Sequence, residues 1–122
     1  MPGDREGRML RWLFLGAGVY GLLAVAPLWL RPAGADGAAA FFRYAFAGAA
    51  GATQLLYLAI GSDFRRFRPL IWVGVASKLS FAIPCLLLIG EGRLDPAMLP
   101  FAIIDLLLAA AFAAASAMTR RG

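Results

Sequence analysis

Arg43, Gln54, Lys78 and Asp105 each fall inside a long apolar run, where the surrounding sequence is Ala, Leu, Ile, Val, Phe and Gly. An ionised group placed in hydrocarbon costs at least about 2.5–3.5 kcal/mol, so such groups turn toward the protein interior and find partners. The set holds two cations, one carboxylate and one amide. Three kinds of chemistry suit it. A charge-compensated pair fixes the register of neighbouring helices; an excess cation holds an anionic or polar ligand; a carboxylate beside an amine relays protons. Residue types alone leave these alternatives open.

Helical periodicity places the four residues on shared faces. Steps of three and four put Arg43, Ala47, Ala50, Gln54 and Tyr57 on one stripe of a helix. In the same way Asp105, Ala109, Phe112 and Ser116 share a stripe, and Gly74 and Ala82 flank Lys78. Small neighbours allow another helix to approach closely. At 1.5 Å per residue from the outer boundary, Arg43 lies at roughly 5–8 Å, Asp105 at about 12 Å, Lys78 at about 17 Å and Gln54 at roughly 20–24 Å. The spacing predicts a buried Arg43–Asp105–Lys78 cluster with Gln54 and Tyr57 beneath it.

The elements that must carry these residues are transmembrane helices. The 122-residue chain is 61% hydrophobic and only 16% charged, with a mean hydropathy of +0.74. Soluble domains average about 45–50% apolar residues. A spanning helix needs about 20 mostly apolar residues, and four segments meet that need, at about 12–30, 38–60, 70–89 and 97–118. Short turns rich in Gly, Pro and charge separate them, which makes sequential helices antiparallel neighbours. The expectation is an all-α integral membrane four-helix bundle forming one domain over 12–118, with a cytoplasmic N-terminal segment at 1–11 and a cytoplasmic tail at 119–122.

Orientation follows from the Lys/Arg bias of short loops. Arg5, Arg8, Arg11, Arg65, Arg66, Arg68, Arg120 and Arg121 lie on one side, against Arg31 and Arg93 on the other, with Arg43 just inside the second span. Both termini are therefore expected in the cytoplasm. Ala33-Gly34-Ala35 resembles a signal-peptidase site, but the preceding apolar stretch exceeds the usual 7–15 residues, which predicts a retained helix. Trp12, Trp29 and Trp72 sit at expected interfaces, where amphipathic rings anchor depth. Arg65, Arg66 and Arg68 are candidates for contact with anionic lipid headgroups.

Other residues bound the function. The net charge of +5 and pI near 10.4 do not signal nucleic acid, because the arginines flank apolar runs instead of covering a soluble face. The chain has no His, which removes the usual haem and imidazole metal ligands; no metal or cofactor is expected. Cys85 lies in an apolar run and reads as an inert buried thiol. Gly16, Gly18 and Gly21, with Ala47, Gly48, Gly51 and Ala52, give small-xxx-small spacings suited to close helix packing. Pro27 and Pro84 each remove one helical hydrogen bond and are expected to bend the first and third helices.

Phe42-Arg43-Tyr44, the turn Arg65-Arg66-Phe67-Arg68-Pro69, Lys78 and Asp105 together resemble the DoxX-like and BphX-like small four-helix bacterial membrane proteins, over roughly Ala39 to Met118. The resemblance implies a bundle in the bacterial inner membrane, in a group some of whose members are components of oxidoreductase or catabolic systems. It carries over no catalytic residue. The chain lacks the helix-one glutamate of small multidrug transporters and the Asn of fluoride channels. No nucleophile–base pair or metal-ligand set is visible. The expected function is a non-enzymatic membrane component or accessory subunit, partnered by the bilayer and by a second copy or another membrane subunit. The alternative is a small transporter or ligand-binding bundle that uses Arg43, Lys78 and Asp105.

Overall fold

Long apolar runs punctuated by Gly, Pro and Asp fold into four helices: α1 (Asp4–Leu30), α2 (Gly37–Ser62), α3 (Ile71–Gly90) and α4 (Leu99–Thr119). They are seen in a computed structural model that describes residues 4–31, 34 and 36–119. Arg120 and Arg121 of the expected tail, and Ala33 and Ala35 of the cleavage-like site, lie outside the described residues. Each helix is long and apolar enough to cross a membrane. The helices divide between two units, one over Glu6–Phe64 and one over the remainder.

In the first unit, α1 and α2 form an antiparallel hairpin. Contacts run in opposite directions along the two helices: Leu15 faces Gly61, Gly18 faces Leu58, Gly21 faces Gln54, and Trp29 faces Gly48. The Trp29 ring also stacks on Tyr44, with centroids 5.5 Å apart. α2 begins where Asp36 accepts hydrogen bonds from the Ala38 and Ala39 amides at 3.0 and 3.5 Å, satisfying N–H groups that no helical turn reaches. α1 starts about two turns before the apolar stretch at Trp12, so the basic segment ahead of it is helical through Arg5, Arg8 and Arg11.

In the second unit, α3 and α4 are likewise antiparallel, with Ala82, Cys85 and Ala102 forming a small-residue core under Leu86, Ile89, Leu94, Met98 and Leu106. A 3₁₀ turn over Arg68–Leu70, with Pro69 at its start, leads into α3. α3 ends in a Schellman motif. The Arg93 amide donates to the Leu88 carbonyl at 2.8 Å and Gly92 donates to Ile89 at 3.0 Å. Gly92 has φ +74°, a conformation that side chains disfavour and that this motif requires. A second 3₁₀ turn over Pro96–Met98, capped by Asp95, starts α4. Pro27 and Pro84 both lie inside continuous helices.

Every helix buries one stripe and exposes large apolar side chains on the other. The buried stripes are Leu10, Phe14, Ala17, Gly18 and Gly21; Ala47, Gln54, Tyr57 and Ile60; Ile71, Gly74, Lys78, Ala82 and Cys85; and Ala102, Asp105, Ala109, Phe112 and Ser116. Leu23, Leu55, Leu87 and Leu107 are each about 60–70% exposed. Large apolar side chains therefore cover the outward faces, the reverse of a water-soluble surface, while Gln54, Lys78, Asp105 and Ser116 are buried among apolar residues.

Candidate functional site

Lys78 and Asp105 meet. α3 supplies Lys78 from the middle of its buried stripe, and α4 supplies Asp105 from the facing stripe. The antiparallel crossing brings them level, as it brings Cys85 level with the Met98 carbonyl. Lys78 Nζ donates to Asp105 Oδ1 at 3.1 Å, with side chains only 5% and 12% exposed. Gly74 and Ala82 flank the lysine on α3, and Ala102 and Ala109 flank the aspartate on α4; all are buried. Their small size lets the two backbones approach until a lysine and an aspartate side chain span the gap.

The chemistry of such a pair is mostly self-directed. Removing both charges from water is costly, and mutual attraction with a direct hydrogen bond offsets that cost only when geometry is good. Sliding α3 past α4 by one turn, about 5.4 Å, would break the Lys78–Asp105 hydrogen bond. The pair thus penalises wrong register far more strongly than it stabilises the right one.

Arg43, expected beside Asp105, has acceptors in its own hairpin. Its Nη2 donates to the Pro27 carbonyl at 3.3 Å and to the Arg31 carbonyl at 3.2 Å. These carbonyls lie at the C-terminal end of α1, where the helix dipole gathers partial negative charge; the Pro27 carbonyl also accepts from the Arg31 amide at 3.0 Å. A guanidinium from α2 thus caps α1 across the hairpin. The excess positive charge counted from the sequence is partly answered here.

Gln54 lies deeper and is 6% exposed. Its Nε2 donates to the Ala50 carbonyl one turn earlier at 2.9 Å, while its Oε1 is buried without a hydrogen-bond donor. That oxygen lies over Gly21 of α1: a Cβ there would land on the Gln54 amide. Glycine Cα–H groups facing a carbonyl oxygen are weak donors that recur at close helix contacts. Tyr57, one turn further along α2, is fully buried.

No family model, curated protein or solved structure matches this chain.

The lipid-facing candidates are arranged less uniformly. Arg65 and Arg66 are exposed and Arg68 is half-buried; the Arg66 guanidinium sits 5.3 Å from the Phe67 ring centroid. Trp12, Trp29 and Trp72 are all more than half exposed. Two features escaped sequence reading. The capping role of Arg43 depends on where α1 stops, and a lone Arg inside an apolar run reads first as a charge in search of a carboxylate. Gly61 resembles the start of a loop but packs in the last turn of α2 against Leu15. The Gly16-Gly18-Gly21 spacing did mark α1 as a close-packing helix, yet a Cβ on Gly16 meets nothing within 4 Å. Spacing alone does not say which glycines are needed.

Proposed function

We propose that the protein is an integral, non-enzymatic component of the bacterial inner membrane, with four spans and both termini in the cytoplasm. The direct Lys78–Asp105 contact among buried small residues carries the structural half of this reading. Its two charged groups are directed at each other, as a register lock requires. Membrane placement is supported by the four span-length apolar helices and by large apolar side chains on their outward faces. The Lys/Arg bias of the connections supports the orientation, and the resemblance to DoxX-like and BphX-like proteins supports the bacterial setting. In this reading the bilayer is the principal partner, and the outward apolar faces are where a second copy or another membrane subunit docks.

Paired reporters test the orientation. A fluorescent protein fused after Gly122 is expected to fluoresce, and an alkaline phosphatase fused there is expected to stay inactive; moving the phosphatase into the Gly90–Pro96 connection is expected to activate it. High phosphatase activity at the C-terminus would overturn the topology.

A further inference from the structure

α1 is longer than a bilayer needs. Its 27 residues extend about 40 Å at 1.5 Å per residue, against a hydrocarbon core of about 30 Å. The stretch from Arg11 to Leu30 already fills that core, and the remainder, Asp4–Leu10, carries charge. Tilt accommodates surplus apolar length; it does not draw Arg5 and Arg8 into hydrocarbon. The first two turns therefore project as a stiff helical extension into the headgroup layer.

The extension has an organised surface. Arg5, Arg8 and Arg11 recur every three residues along one flank of the helix, and all three are exposed. Met9 and Trp12, 53% and 66% exposed, provide apolar surface at the membrane-facing end. On the packed side, Gly7 lies against the Phe64 ring, 3.8 Å from where a Cβ would be, so the end of the α2 connection braces the extension. Asp4 and Glu6 are the acidic residues interleaved with the arginines, so the segment from Asp4 to Arg11 carries three positive charges against two negative ones. Three guanidiniums on a braced helix, above an exposed Trp, match a phosphate headgroup with its acyl chains below.

We propose that the N-terminal extension of α1 is a binding site for anionic phospholipid, in which Arg5, Arg8 and Arg11 hold the headgroup phosphate and Trp12, below them, meets the upper acyl chain. The site rests on the membrane reading above. It adds a set of residues distinct from the loop arginines 65, 66 and 68 for the same class of ligand.

The test uses the full chain with Trp29→Phe and Trp72→Phe, leaving Trp12 as the sole tryptophan, excited selectively at wavelengths that tyrosine does not absorb. Reconstituted protein is titrated with phosphatidylglycerol or phosphatidylcholine brominated on the acyl chains, which quenches a contacting indole. Half-maximal quenching is expected at a mole fraction about tenfold lower for the anionic lipid. R5Q/R8Q/R11Q is expected to abolish that preference, whereas Arg93→Gln, at an exposed arginine of the α3–α4 connection, keeps it. Equal quenching by both lipids in the parent overturns the site. So does a preference that survives the triple change or that disappears equally with Arg93→Gln. Alkaline carbonate washing separates the two readings: protein retained in washed membranes without anionic preference refutes the headgroup site alone, and protein released by the wash refutes the spanning helices on which it rests.

Discussion

Lys78→Met and Asp105→Asn, made singly, are expected to destabilise the folded protein by about 2–4 kcal/mol each, and the double variant to recover most of that loss. Each single change breaks up a buried charge–charge hydrogen bond of 3.1 Å while leaving one of its two charges in place. Removing both groups leaves a neutral contact among Gly74, Ala82, Ala102 and Ala109, and apolar or neutral replacements of buried pairs are often close to isoenergetic. Unfolding in mixed detergent micelles against sodium dodecyl sulfate fraction, followed by tryptophan emission, measures all four proteins. A double variant no more stable than the worse single one would mean that the two charges serve something other than each other. If the double change also abolished an uptake or binding activity while folding normally, the transporter alternative would replace the structural one.

Gly21→Val is expected to be strongly damaging to the α1–α2 hairpin. The added carbons fall directly on the Gln54 side chain, which is buried and held by its bond to Ala50. Overpacking of this kind costs about 1–3 kcal/mol, and displacing the amide adds to it. Gly16→Val, five residues earlier on α1, meets open space and is expected to change stability by less than about 0.5 kcal/mol. Adding Gln54→Ala to the Gly21 variant opens the space and removes a buried acceptor, so it is expected to restore most of the loss. The same detergent titration reads these variants. Equal effects at Gly16 and Gly21 would show that the hairpin is not packed through the Gly21–Gln54 contact.

Helix existence and facing were legible because hydrophobic period and span length leave little choice. The stripes through Lys78 on α3 and through Asp105 on α4 are buried as their spacing requires, and antiparallel pairing brings that lysine and aspartate level. What the sequence could not resolve lies at helix ends and in pair choice. α1 continues through Arg5, Arg8 and Arg11 because a charged segment propagates a helix once the apolar part has nucleated it; hydropathy sees only the apolar part. The bonds from Arg43 to the Pro27 and Arg31 carbonyls are not legible in the sequence, because charge complementarity is visible there and a helix terminus that needs capping is not. The partner of Gln54 was hidden for a related reason: its contact is a glycine, a residue with no side chain to announce it.

The most direct test concerns the outward apolar faces. With Cys85 replaced by Ala, single cysteines are placed at Leu55 and Leu107, which the chain leaves 59% and 66% exposed, and at Ser62, the last residue of α2. Intact inverted inner-membrane vesicles are then treated with a charged, membrane-impermeant maleimide. The Ser62 cysteine is expected to label, while those at Leu55 and Leu107 stay unlabelled until the protein is denatured in detergent, because lipid covers them. Rapid labelling of all three in intact vesicles would place those faces in water and contradict the membrane-spanning bundle.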